Sequence, residues 1–222
     1  MLNKFENYIF DLDGTIVNSS NEILKCLKKA FQDVGCKIPS ERFTPNLIGP
    51  PIRQIIENVA PEIKDEDVKK GIISSFRKNY DFDNDDCSAL YPQIREYLEF
   101  LKNNNKKLYI ATFKPKIPTL RLVKMFNLDM FDSIYTVDYP HPFPSKNEMV
   151  KSLLKEQNLE LNETVIIGDS VSDILAGKTN DITAVGVLWG YGKDKTILNN
   201  SANFCIENMS DLLRDICCRE EV

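Results

Sequence analysis

Short apolar stretches alternate with longer amphipathic ones in the second half of the sequence. Residues 107–112, 164–169 and 183–187 are rich in aliphatic side chains, and apolar residues recur at helical spacing in the stretches between them. Parallel strands need a long crossover connection, which is usually a helix. The alternation therefore predicts an α/β fold with a Rossmann-like parallel sheet core and helices on both faces.

Residues 17–86 follow a different pattern, because apolar residues recur there only at helical spacing and strand signals are lacking. Residues 81–86 are acidic and poor in large aliphatic side chains, which favours a linker. We therefore expect an α/β core formed by residues 1–16 and 87–222, with an inserted all-α domain formed by residues 17–86. The predicted strands are 8–10, 107–112, 133–137, 164–169, 183–187 and 204–206, and the predicted helices are 23–34, 52–59, 65–80, 94–101, 117–126, 146–156, 170–178 and 209–216.

Composition disfavours several classes of function. The formal net charge is −5 and no basic stripe is present, which argues against a nucleic-acid-binding surface. No apolar stretch is long enough to span a bilayer, and Lys4 and Glu6 interrupt the N-terminal stretch where a signal peptide would need an apolar run. No C-x-x-C pair occurs, so a zinc site is disfavoured and a reduced, cytoplasmic protein is expected. We expect a monomer or homodimer without nucleic-acid or membrane partners. The cysteines are Cys26, Cys36, Cys87, Cys205, Cys217 and Cys218.

The chain has a single histidine, His141, which lies between Pro140 and Pro142. A Ser-His-Asp or Cys-His mechanism would have to rest on this residue. We favour the alternative, in which His141 is a loop residue without a chemical role.

The first predicted strand runs directly into two aspartates, Asp11 and Asp13, and then into Gly14. Residues i and i+2 of a strand point to the same face, so the two carboxylates could be close neighbours. Their mutual repulsion would raise the pKa of one of them unless a divalent cation were bound between them. Mg²⁺ takes oxygen ligands. The motif therefore favours a magnesium site, although an acidic surface turn after a strand is the simpler alternative.

Polar residues also follow two other predicted strands, namely Thr112 and Asp169. The carboxyl ends of parallel strands lie at one edge of a sheet, where ligands bind. Thr112 offers a hydroxyl at a strand-to-helix turn, which suits a phosphate. Asp173 follows Asp169 by four residues and could face the same site, and Lys146 could offset a carboxylate and a phosphate together. Taken singly, these residues also fit a structural threonine, a first-turn acid and a solvated lysine.

Together these motifs resemble the haloacid dehalogenase-like hydrolase superfamily, phosphatase branch, with a helical cap inserted after the first motif. That family is marked by DxDGT at the first strand, then Ser or Thr, then Lys, then GDxxxD. The corresponding residues are Asp11-Leu12-Asp13-Gly14-Thr15, Thr112, Lys146 and Gly168-Asp169-Ser170-Val171-Ser172-Asp173. The order and spacing fit over essentially the whole chain.

Three further motifs are similar to those of phosphoglycolate phosphatase-like and nucleotidase-like members of that family. They are Gly49-Pro50-Pro51, Thr112-Phe113-Lys114-Pro115 and Gly186-Val187-Leu188-Trp189-Gly190-Tyr191-Gly192. Two positions depart from the pattern. Phe113 stands where Ser or Asn is commoner, and Asn147 follows Lys146 where the family often has Lys-Pro-x-Pro.

The resemblance implies a Mg²⁺-dependent phosphatase that acts through an aspartyl-phosphate. Asp11 would be the nucleophile and Asp13 the general acid and base. Thr112 and Lys146 would bind the phosphoryl oxygens. The metal ligands would come from Asp11, the Asp13 carbonyl, Asp169 and Asp173, the last as a direct ligand or behind one. The substrate would be a small phosphorylated metabolite, with 2-phosphoglycolate ahead of a nucleoside monophosphate and pyrophosphate.

Several alternatives stay open at this point. A receiver-type signalling domain uses similar residues but is shorter, and a dehalogenase of this superfamily would not need Asp13. A sugar phosphomutase shares the core motifs, and a non-catalytic member would only bind phospho-ligands. A phosphonate hydrolase would need a cap lysine, whereas Lys64, Lys69 and Lys70 are interpreted as surface charges. Arg53 either contacts the substrate's leaving group or is an exposed helix-start residue.

Overall fold

The computed structural model of the protein describes residues 2–82, 87–192 and 195–212. The chain divides into two compact units, which we call the core unit (residues 1–18 and 90–222) and the helical unit (residues 19–89). These divisions lie two to three residues beyond the boundaries expected from the sequence, at 16/17 and 86/87.

The core unit contains a six-stranded parallel sheet. Its central strands are β1 (Asn7–Phe10), with β4 (Lys107–Thr112) on one side and β6 (Thr164–Gly168) on the other. The outer strands are β5 (Ser133–Thr136), β7 (Thr183–Val187) and β8 (Phe204–Ile206). The order across the sheet is β5-β4-β1-β6-β7-β8, and each neighbouring pair is parallel. The predicted parallel α/β sheet is therefore confirmed.

Side chains alternate between the two faces of this sheet, and each face is covered by its own helices. Tyr8 and Phe10 of β1 pack with apolar residues of α4 (Ile94–Asn103) and α5 (Lys116–Met125). Ile9 points to the other face, where residues of three later helices pack. Those helices are α6 (Lys146–Glu156), α7 (Val171–Thr179) and α8 (Lys195–Ser201). The predicted covering of both faces by helices is confirmed.

The register of the central strands brings their carboxyl ends to one edge. Phe10 is level with Ile110 of β4 and with Ile167 of β6. The residues that follow these strands therefore leave the sheet beside one another, and the backbone N–H of Asp11 donates to the Ile167 carbonyl at 3.0 Å. This edge carries most of the polar residues singled out in the sequence.

The helical unit consists of α-helices and short 3₁₀ turns. Phe31 of its first helix is buried and packs edge to face against Phe43, with ring centroids 5.7 Å apart. Ile72 of its third helix is fully buried. The helical prediction for this segment is confirmed. Its helices are α1 (Ser20–Asp33), α2 (Ile52–Val59) and α3 (Glu66–Phe82), and its 3₁₀ turns are Ser40–Arg42 and Pro45–Leu47.

The structure differs from the sequence prediction at three places. Helix α3 continues through residues 81 and 82, so the predicted linker is wrong there, and its residues 83–86 lie outside the described residues. A two-stranded sheet of β2 (Val17–Asn18) and β3 (Ala89–Leu90) was missed because two residues are too few to show alternation. Helix α8 was missed because its sequence, KTILNNS, has few apolar residues. Of the predicted last helix, 209–216, residues 209–212 are helical as expected, and residues 213–216 lie outside the described part of the chain.

In the described part of the chain, every helix is too short or too polar to cross a bilayer.

Candidate active site

Asp11 lies at the first position after β1 and is only 8% exposed. One of its carboxylate oxygens, Oδ1, is 2.8 Å from the ammonium nitrogen of Lys146. Lys146 is the first residue of α6 and is buried. The hydroxyl of the preceding Ser145 caps this helix by accepting a hydrogen bond from the Glu148 backbone N–H at 3.2 Å. The start of α6 thus places the buried ammonium group of Lys146 beside Asp11.

The Lys146 ammonium group forms a second ion pair with Oδ1 of Asp173. Its other oxygen, Oδ2, accepts hydrogen bonds from the backbone N–H and the hydroxyl of Ser170, at 3.0 and 2.6 Å. These contacts form a capping box at the start of α7. Both oxygens of the fully buried Asp173 carboxylate are therefore already engaged by protein groups.

Asp169 follows β6 and completes a group of three buried carboxylates with Asp11 and Asp173. One oxygen from each of the three lies within 4.8 Å of the others, close enough for a single cation to contact them. Gly14, in the turn after β1, has a φ of +85°, and a Cβ there would lie 2.3 Å from the Asp169 carboxylate. Glycine is thus required at this position both for the turn and for the close approach of Asp169.

The electrostatics of this cluster are dominated by negative charge. Burial raises the pKa of Asp11 to about 6, although the Lys146 ammonium group acts in the opposite direction. Burial, followed by the charges of Asp11 and Asp173, raises the pKa of Asp169 well above its ordinary value. Burial alone would lower the pKa of Lys146, but the two neighbouring carboxylates raise it above its usual range. The cluster therefore holds more negative charge than Lys146 offsets.

Asp13 lies close to a second buried lysine, Lys114, which the sequence analysis did not select as a site residue. The Lys114 ammonium nitrogen is 3.2 Å from both carboxylate oxygens of Asp13. Lys114 was visible in the sequence as part of the Thr-x-Lys-Pro turn, but nothing local indicated which group it would contact. Thr112 ends β4 and is buried, and its hydroxyl accepts a hydrogen bond from the Lys114 backbone N–H at 3.2 Å.

Of the site residues selected from the sequence, the structure therefore brings together Asp11, Lys146, Asp169 and Asp173. Asp13 and Thr112 leave the same edge of the sheet and are joined through Lys114. The exposed ring of His141 lies against Phe143, with ring centroids 4.3 Å apart.

Two cap candidates from the sequence have partners inside the helical unit. Arg53 is paired with Glu66 at 2.5 Å and lies 3.6 Å from Glu57. Lys69 is buried and pairs with the same two carboxylates, so its interpretation as a surface charge is wrong. Hydrogen bonding to Glu66 raises the pKa of Lys69, whereas Schiff-base chemistry needs a neutral amine. This environment disfavours the phosphonate-hydrolase alternative.

Comparison with known proteins settles the family. Residues 8–187 match the model of the haloacid dehalogenase-like hydrolases, and the chain belongs to this family. The pyrophosphatase PpaX of Listeria monocytogenes is 30% identical over 222 residues, covering 96% of this chain and 97% of that protein. A 5′-nucleotidase of Pseudomonas aeruginosa is 25% identical, with 92% of each chain covered.

Among solved structures, a predicted phosphoglycolate phosphatase from Haemophilus somnus superposes with a TM-score of 0.84. It is 25% identical and is matched over 96% of this chain and 98% of that chain. The resemblance drawn from the sequence motifs is thus confirmed, and so is the expectation of a hydrolase of the phosphatase branch.

Proposed function

We propose that this protein is a Mg²⁺-dependent phosphatase that hydrolyses a small phosphorylated metabolite through an aspartyl-phosphate on Asp11. The observation that carries the proposal is the buried cluster of Asp11, Asp169 and Asp173 around Lys146. Buried carboxylates in contact with one another are costly unless a cation offsets them, and clusters of this kind are typical of functional sites.

The chemistry of the cluster fits a divalent cation. The buried cluster contains three carboxylates, those of Asp11, Asp169 and Asp173, and the Lys146 ammonium group is paired with two of them. The excess of two negative charges equals the charge of one Mg²⁺, and carboxylate and carbonyl oxygens are the ligands that Mg²⁺ prefers. Asp11, Asp169 and the Asp13 carbonyl would hold the ion. Asp173, with both oxygens engaged by Lys146 and Ser170, fits a position behind the direct ligands.

When bound, the ion would supply positive charge to the phosphoryl oxygens. In the first step, the Asp11 carboxylate attacks phosphorus, and the bond between phosphorus and the leaving oxygen breaks while Asp13 donates a proton to that oxygen. In the second step, Asp13 accepts a proton from the water that attacks the aspartyl-phosphate, which releases phosphate and restores Asp11. Lys146 and Thr112 would hold phosphoryl oxygens, because phosphoryl transfer depends mostly on positioning and charge stabilisation.

The substrate is proposed only as a class. 2-Phosphoglycolate, nucleoside monophosphates and pyrophosphate are the candidates, and the relatives' names support each of them. We propose the helical unit as the cap that selects among them. A cytoplasmic location and a monomeric or homodimeric state stay predictions.

The test is phosphate release from a panel of these compounds, with Mg²⁺ and with EDTA, for the wild type and Asp11→Asn. A matched control is Asp129→Asn, an exposed aspartate of the same unit. We expect Mg²⁺-dependent release that Asp11→Asn abolishes and Asp129→Asn leaves unchanged. If the folded wild type releases phosphate from no panel member, the proposal fails and a mutase or a phospho-ligand-binding role gains support.

A further inference from the structure

The turn that follows β7, residues 188–192, lies directly against Asp169. The backbone N–H groups of Tyr191 and Gly192 both donate to Oδ2 of Asp169, at 2.6 and 3.2 Å. Among the described residues, no N–H or O–H group donates to the other oxygen, Oδ1. The turn therefore occupies one oxygen of the carboxylate and leaves the other available.

The two glycines of this turn allow the close approach. A Cβ on Gly190 would lie 2.3 Å from the Asp169 Cβ and 2.3 Å from the Gly14 carbonyl oxygen. A Cβ on Gly192 would lie 2.0 Å from the Asp169 carbonyl oxygen. Real Cβ atoms do not approach other atoms this closely, so any side chain at either position would push the turn away from Asp169.

Two side chains anchor the turn to the segment that follows β1. The indole N–H of Trp189 donates to the Thr15 carbonyl at 3.2 Å, and the Tyr191 hydroxyl donates to the Asn18 side chain at 2.9 Å. The Trp189 ring also packs against Tyr91, with ring centroids 6.3 Å apart. These contacts fix the position of the turn, and with it the two backbone N–H groups that donate to Asp169.

We propose that residues 188–192 are a positioning element for the metal site: they hold Asp169 so that it offers Mg²⁺ one oxygen, Oδ1. Mg²⁺ demands near-ideal octahedral geometry at short distances, whereas Ca²⁺ accepts flexible coordination that often includes carboxylates bound through both oxygens. A carboxylate whose second oxygen is already bound by two N–H groups is restricted to the first mode. The element would therefore favour Mg²⁺ over Ca²⁺. This inference rests on the proposed function, because it assumes that Asp169 is a metal ligand.

The test is a direct measurement of Mg²⁺ and Ca²⁺ affinity by titration calorimetry, without substrate, for Gly190→Ala and Gly192→Ala. The matched control is Gly186→Ala in β7, where a Cβ would crowd the side chains of Cys205 and Leu198 at 2.8 and 2.9 Å. Loss of groups that orient a ligand typically lowers metal affinity 10–100-fold. We expect Mg²⁺ affinity to fall by about 10-fold or more in the two turn variants, with a smaller change for Ca²⁺. The control should bind both ions as the wild type does.

If the alanine variants fail to fold, a milder variant provides the test. The double variant Trp189→Phe/Tyr191→Phe keeps both glycines and an aromatic ring at each position, and it removes the two anchoring hydrogen bonds to Thr15 and Asn18. It should also lose preference for Mg²⁺. Unchanged affinities in folded turn variants, or equal losses for both ions, overturn the inference while leaving the phosphatase proposal standing. A wild type that binds neither ion overturns the proposed function itself and the inference with it.

Discussion

Lys146→Met isolates the electrostatic role of the buried ammonium group. In the wild type its nitrogen is 2.8 Å from Asp11 Oδ1 and also contacts Asp173 Oδ1. At an effective dielectric constant of about 20, the attraction to Asp11 alone is about 6 kcal/mol, part of which offsets the cost of burying the pair. Removing the Lys146 ammonium group leaves the buried carboxylates of Asp11 and Asp173 without the cation that offsets them. We therefore expect the free energy of unfolding to fall by about 3–5 kcal/mol at pH 7.5 in EDTA.

Urea denaturation followed by the fluorescence of Trp189, the only tryptophan, measures this loss in the core unit. The control is Lys151→Met, which removes an exposed lysine of the same helix and should change stability by less than about 0.5 kcal/mol. A double-mutant cycle adds Asp173→Asn, which removes one of the stranded charges. Asp173→Asn should cost clearly less in the Lys146→Met background than in the wild type. A loss below about 1 kcal/mol for Lys146→Met, or an equal cost of Asp173→Asn in both backgrounds, would refute the reasoning.

Three further predictions follow from the same geometry. The pKa of Asp11 is raised from 3.8 to about 6 in the folded protein, so protonation of Asp11 favours the folded state. This contribution to the free energy of unfolding is complete below pH 3.8 and is lost as the pH rises through about 6. The melting temperature of the protein in EDTA should therefore be lower at pH 7.5 than at pH 5.5, and Mg²⁺ should raise it more at pH 7.5; an equal effect of Mg²⁺ at both values contradicts this. Ile166→Ala removes a fully buried side chain from β6 and should cost about 2–5 kcal/mol in urea denaturation, whereas a loss below about 1 kcal/mol would show that the site collapses without a cavity. Thr112→Val removes a hydroxyl proposed to bind a phosphoryl oxygen, so kcat/KM should fall roughly 10–100-fold. The free energy of unfolding should also fall, by about 1–3 kcal/mol, because the Lys114 backbone N–H loses its buried acceptor. Unchanged kinetics would argue against the phosphoryl-binding role.

Much of the core unit could be read from local patterns. The apolar strands end in polar residues, and a parallel sheet must bring those ends to one edge. That Asp11 and Asp169 lie at the same edge followed from this rule and from the segments 8–10 and 164–169, whereas the pairing of β1 with β6, which makes them neighbours, was shown by the structure. The helices of the inserted segment were equally readable, because their apolar spacing depends on neighbours three and four residues away. Two-residue strands and the polar helix α8 were not, since neither contains enough residues of a repeating pattern.

The sequence by itself determined which residue types could form the site and, because the strands were predicted to be parallel, that one edge of the sheet would hold them. Only the tertiary structure decided the partners of each charge. Lys114 meets Asp13 across 101 positions of sequence, and the N–H groups that orient Asp169 come from residues 22 and 23 positions later. Lys69 is buried in an ion-pair cluster although its local sequence resembles a polar surface. The physical reason is that periodicity is set by near neighbours along the chain, whereas burial and ion pairing are set by packing between elements that the sequence pattern does not rank.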